Sequence, residues 1–146
     1  EFGEYSRYFN TFAGNTVSSA AALAVLETIE REQLMPHAAK VGKKLLDGIA
    51  GLAAKHDAIG DVRGAGLFVG VELVSNRTTR AADRSLASRV VNLMRDKGVL
   101  LSACAQGHNV LKIRPPLVLS EEQAAIVIDV LDQSLAQAQI TAPKST

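Results

Sequence analysis

The sequence predicts an α+β fold, a small and mainly antiparallel sheet with helices on one face. Three observations predict it. Stretches with apolar residues at helical spacing open and close the chain. Between them lie short runs with period-two alternation, set among glycines. The last two such runs are separated by a loop of hairpin length. The element order is helix, helix, strand, helix, strand, strand, helix, which is a layer of helices over a short sheet.

The first helix is expected over residues 16–30, where Val17, Ala20, Ala21, Ala24, Val25 and Ile29 recur at helical spacing. Asn15 is its N-cap. Thr11 and Gly14 then stand just ahead of a helix N-terminus, where free N–H groups and the helix dipole favour an anion. A hydroxyl, a glycine that allows close approach and a helix start together make a candidate phosphate site.

Pro36 opens a second helix, expected over residues 36–55, with Val41, Leu45, Ile49 and Leu52 turned inward and Lys40, Lys43, Lys44 and Asp47 facing water. Gly48 and Gly51 lower helix propensity but permit tight packing. Glycines cluster over residues 60–66, and residues 67–74 read as a strand with Leu67, Val69, Val71 and Leu73 on one face. Gly64-x-Gly66 is not a dinucleotide fingerprint, because its third glycine is Gly70 and a strand follows where a helix is required. The stretch reads as a glycine-bulged edge strand.

Residues 75–82 are expected to be a polar loop. Leu86, Val90, Leu93 and Met94 mark a third helix that stops at Lys97-Gly98. Residues 99–102 read as a short strand, 103–109 as a loop and 110–113 as a strand halted by Pro115-Pro116. Ser120-x-x-Gln123 has the capping-box form and opens a last helix with Ala124, Ile128, Leu131 and Leu135 inward. Residues 141–146 are expected to be a frayed tail.

At 146 residues the chain buries one core, and with 47% hydrophobic residues, 4% aromatics and no Trp that core is aliphatic. Sixteen Lys and Arg against 15 Asp and Glu leave a net charge of +1, which recruits neither nucleic acid nor an anionic membrane. No apolar run is long enough to span a bilayer. Cys104 is the lone cysteine, so no disulfide forms within the chain and a reducing, cytoplasmic setting is expected. The chain has no initiator methionine and begins in what reads as continuous sequence, so it is expected to be a piece of a longer protein.

The constellations for stand-alone catalysis are missing. His37, His56 and His108 lie far apart with no partner at metal-ligand spacing, and each is expected to be a surface or capping histidine. There is no Gly-x-Ser-x-Gly elbow, Walker loop or Cys-x-x-Cys pair. Cys104 reads as a partly exposed thiol. Arg77, Arg80, Arg84 and Arg89 read as a solvated helix face and its approach.

Three strings carry a family resemblance over most of the chain. Phe9-Asn10-Thr11-Phe12-Ala13-Gly14-Asn15-Thr16-Val17-Ser18 resembles the FNTFGGNPVS segment of class III (ornithine/acetylornithine-type) aminotransferases. Residues 60–73 are similar to the DVRG-x-GL strand of that family's C-terminal domain. Residues 110–117 resemble its Arg-x-x-Pro-Pro segment, with Lys112 standing where the family carries the arginine. The combination looks closest to the branch of ethanolamine-phosphate phospho-lyases and the alanine–glyoxylate type.

The resemblance implies pyridoxal 5'-phosphate as cofactor, a homodimer and a small-molecule amine or amino-acid substrate. It implies that Thr11, with Asn10 and Gly14 beside it, holds the cofactor phosphate of the neighbouring subunit. Lys112 and Arg114, two places apart and so on one strand face, would meet the anionic end of the substrate. Arg63 would be structural or near the site entrance. The Schiff-base lysine would lie upstream, so the chain alone would be inactive. Residues 1–14 would close the large domain, 15–138 form the C-terminal small domain of a fold-type I enzyme, and 139–146 a tail. The parent's reaction would be amino-group transfer, with phosphate elimination from a phosphorylated amine as the alternative. A non-catalytic binding or dimerisation module is the rival outside enzymology.

Overall fold

The computed structural model describes residues 4, 7 and 9–140; Tyr8 and the expected tail at 141–146 lie outside the described residues. The chain divides into two compact units, Glu1–Met35 and Pro36–Thr146.

The first unit carries helix α1 (Thr16–Arg31). Asn15 caps it as expected, its Oδ1 accepting from the amides of Val17 and Ser18, both at 3.1 Å. None of the residues of α1 is buried. Phe9 is 91% exposed and Phe12 80%.

The second unit holds the core. Helix α2 (Leu34–Leu52) begins two positions before the expected proline, since Pro36 is tolerated within a first helical turn where its missing N–H has no partner to lose. Strands β1 (Ile59–Ala65) and β2 (Phe68–Asn76) form a hairpin, and β3 (Ala81–Ala82) pairs with the end of β2. Helix α3 (Arg84–Asp96), β4 (Ser102–Cys104), β5 (Val110–Ile113) and helix α4 (Glu121–Ile140) follow. The sheet order is β1-β2-β5-β4, and every neighbouring pair is antiparallel.

The 60–73 stretch is not one glycine-bulged edge strand: residues 59–65 form a separate edge strand, β1, with a register shift between Ile59 and Asp61, and the expected strand, β2, is central, paired with both β1 and β5. Two strand limits differ from expectation. Residues 75–82 are not all loop, because β2 runs to Asn76 and β3 returns beside it. The expected strand at 99–102 is displaced to Ser102–Cys104. The ladder with β5 ends at the Ser102–Lys112 pair and leaves 99–101 outside it, where the Val99 amide donates instead to the Met94 carbonyl at 2.9 Å.

Alternation along the strands decides which face the helices cover. Val69, Val71, Leu73, Leu111 and Ile113 are buried with Val41, Leu45 and Ile49 of α2, Val90 and Met94 of α3, and Leu131 and Leu135 of α4. Phe68, Glu72 and Lys112 alternate with them and lie on the uncovered face.

Glycine sets how closely α2 approaches the sheet. A Cβ on Gly42 would lie 2.1 Å from the carbonyl oxygen of Gly66, in the β1–β2 turn, where Gly66 itself has φ +52°. One on Gly48 would lie 2.4 Å from Cδ1 of Ile128 on α4. Gly51 differs from expectation, since nothing lies within 4 Å of its added Cβ.

Long-range polar contacts fasten α2 to α4. Lys40 and Lys44 reach Glu121 at 2.7 and 3.1 Å, and hold its carboxyl at about 2. His56 is buried rather than superficial, its Nε2 lying 2.6 Å from Oδ1 of Asp132, while Lys55 meets the same carboxylate at 2.9 Å. The His56 ring, and then the Lys55 ammonium, hold the Asp132 carboxyl below its usual range. His37 caps a carbonyl, with Nε2 2.9 Å from the oxygen of Leu119. Arg77 is exposed, as expected, yet it also donates to the carbonyls of Ala53 and Ile59, closing the end of α2.

Two tests follow from these contacts. Gly42→Ala forces the helix off the hairpin turn and is expected to cost about 3 kcal/mol or more. Gly51→Ala, made in open space, should gain about 0.5–1 kcal/mol. Thermal unfolding of both variants reads the contrast. Asp132→Asn is expected to cost about 2 kcal/mol at neutral pH. Because the native carboxyl titrates low, its contribution is present above the usual carboxylate range and disappears as pH falls through the native value. Denaturant titrations between about pH 2 and pH 7 should therefore show variant and parent converging at the acid end.

Candidate functional site

In the first unit the candidate is a turn. The amide of Phe12 donates to Oδ1 of Asn10 at 3.1 Å, that of Ala13 to the Asn10 carbonyl at 3.2 Å, and that of Asn15 to the Phe12 carbonyl at 3.2 Å. Gly14 has φ +79°, a conformation any side chain would strain. Asn10 thus shapes the turn through its Oδ1. Asn15 has already taken the amides of Val17 and Ser18. The amides of Thr11, Gly14 and Thr16 are left with no acceptor among the described residues. Thr11 is exposed, so its hydroxyl stands beside those N–H groups in water. An exposed hydroxyl, free amides and open space at glycine suit a phosphate group.

In the second unit the candidate is the uncovered sheet face. Cross-strand register places Arg63 opposite Gly70, Gly70 opposite Lys112, and Lys112 opposite Ser102, in one row. The adjoining row runs Asp61, Glu72, Val110, Cys104. Lys112 is half-buried and has no carboxylate partner among the described residues. Arg114 is exposed and also unpaired among them.

The structure brings the two cations together. Both border a cavity of about 320 Å³ closed by Val99, Leu101, Pro115 and Val127. The space opens where the ladder ends and the 99–101 segment parts from β5. On its other side Lys112 borders a second cavity of about 360 Å³, shared with Arg63, Phe68, Gly70, Cys104 and Val110.

Arg63 was legible only as a motif residue; its neighbours come from the fold. Its Nη1 meets Oδ2 of Asp61 and, at 3.5 Å, Oε2 of Glu72. Glu72 is held in turn by Arg80 at 2.6 Å. Neither Glu72 nor Arg80 stands out in the sequence, because residue 80 reaches this face only through the turn after β2. No group of His, Cys, Asp and Glu among the described residues is placed to hold a metal ion.

The model of the family described as Aminotransferase class-III matches residues 3–135, and the chain belongs to that family. It is 41% identical over 129 residues to ethanolamine-phosphate phospho-lyase homolog 1 of Caenorhabditis elegans, covering 88% of this chain and 28% of that protein. It is 42% identical over 130 residues to the mitochondrial alanine–glyoxylate aminotransferase 2 homolog 2 of Arabidopsis thaliana, covering 89% and 27%. A phospholyase from Arthrobacter, solved in complex with phosphoethanolamine, superposes with a TM-score of 0.84 at 41% identity, over 97% of this chain and 33% of that one. The chain thus spans about a third or less of the length of these proteins.

Proposed function

We propose that these residues belong to a pyridoxal-phosphate-dependent class III aminotransferase that acts on a small amine or amino acid as a homodimer. The observation that carries this reading is Lys112, a half-buried ammonium with no internal counter-ion among the described residues, bordering one cavity on the open sheet face and another at the end of the β4–β5 ladder. A buried cation left unpaired is costly, and an anionic substrate group offsets that cost.

Pyridoxal phosphate, when bound, supplies an electron sink for charge developing beside the substrate amine. Thr11 would donate its hydroxyl to the phosphate of the cofactor held by the partner subunit. The amides of Gly14 and Thr16 would add two N–H donors. Lys112 and Arg114 would neutralise and orient the far end of the substrate. The lysine that attaches the cofactor would lie on a preceding part of the protein, so this chain alone would be inactive. Residues 1–14 would then close a large domain and residues 15–138 form the small one. A cytoplasmic setting is supported by the lone free thiol of Cys104. Among the described residues no helix is long and apolar enough to cross a membrane.

Elimination of phosphate from a phosphorylated amine is favoured as a second reading by Lys112. A lysine is a common phosphate binder, and here it replaces the arginine that the family carries against a carboxylate. The likeness to a phospholyase solved with phosphoethanolamine points the same way. Turnover of phosphoethanolamine compared with amino acids by the full-length protein separates the two.

Thr11→Ala in the full-length protein is expected to weaken retention of pyridoxal phosphate about tenfold, the loss of one hydrogen bond to a charged group. Cofactor titration by absorbance checks it. Unchanged affinity would remove Thr11 from the site and favour a non-catalytic module.

A further inference from the structure

We propose that the substrate's anionic end lies across Gly70, between the Lys112 ammonium and the Arg63 guanidinium, and that Arg63 sets a preference for phosphate over a single carboxylate. The inference rests on the functional reading above and deepens it.

Register is the first support. Arg63, Gly70 and Lys112 occupy one row on three adjacent strands, so the two cations are two strand spacings apart, about 10 Å between Cα atoms. Both side chains can lean inward over the residue between them. That residue is glycine, and the row therefore has a trough where any other side chain would stand.

The second support is the trough itself. The cavity of about 360 Å³ is bordered by both cations and by Gly70. A Cβ on Gly70 would sit 3.4 Å from Cγ1 of Val110 and 4.0 Å from Cγ of Arg63, so the stem of Arg63 runs alongside this gap.

The bracing of Arg63 is the third. Asp61 and Glu72 both meet Nη1, which leaves Nε and Nη2 without a partner among the described residues. Those two nitrogens form the edge of the fork that grips an oxyanion with paired hydrogen bonds. Glu72 is itself held by Arg80, so the guanidinium is positioned before any ligand arrives. A carboxylate has one charge, which Lys112 with Arg114 offsets without Arg63. A phosphate has a second charge and a third terminal oxygen for Arg63.

The experiment measures binding of inorganic phosphate and of acetate to the full-length holoenzyme by calorimetry. Arg63→Met is expected to weaken phosphate about tenfold or more and leave acetate within about twofold. Arg63→Lys, which keeps the charge but loses the fork, should recover part of that affinity. Gly70→Ala fits without a backbone clash and narrows the trough, so it should weaken phosphate severalfold even if Arg63→Met fails to fold. Lys112→Met should weaken both anions. If Arg63→Met and Gly70→Ala leave phosphate unchanged while Lys112→Met weakens both anions, the role of Arg63 is overturned and the functional reading stands. If Lys112→Met weakens neither, the reading of the site fails as well.

Discussion

The second unit depends on one steric constraint, the contact between the backbone of α2 at Gly42 and the turn of the β1–β2 hairpin at Gly66. No side chain fits there, because an added Cβ would overlap a carbonyl oxygen. With the helix seated at that depth, Val41, Leu45 and Ile49 reach the apolar row of the sheet and leave no exposed surface. The approach is therefore fixed by backbone meeting backbone, and the side chains fill what remains. Covering one face so closely leaves the other free to carry charge.

That free face has two kinds of cation. Arg63 and Arg80 are tied to Asp61 and Glu72 on the surface, where such pairs contribute little to stability. Their value is geometric: they hold one guanidinium in a set orientation. Lys112 and Arg114 are tied to nothing among the described residues. On this face the carboxylates are paired while two cations are not, in a chain whose net charge is only +1.

Local signals were legible in the sequence. Asn15 caps α1, Ser120 and Gln123 exchange the hydrogen bonds of a capping box at 3.2 and 2.9 Å, and the alternation from Leu67 to Leu73 marks the buried face. Signals that depend on distant residues were not. His56 resembled a helix-end histidine because Asp132 is 76 residues away. The shift of β4 to Ser102–Cys104 depends on its register with β5 and on the tie of Val99 to the preceding helix, not on its own β-propensity. The site was legible in part for the same reason. Lys112 could be found from its motif, but its place in a row with Gly70 and Arg63 is a property of register, which no single stretch encodes.

The cap on α1 has an effect on the neighbouring turn that reaches beyond helix stability. Asn15 occupies two amides that an incoming phosphate could otherwise use. Were a phosphate held here, helix and anion would compete for the same donors, so a residue that capped less well would loosen the helix while enlarging the oxyanion cradle. Affinity at this turn would then be limited by its own scaffold, with the balance set by one side-chain oxygen.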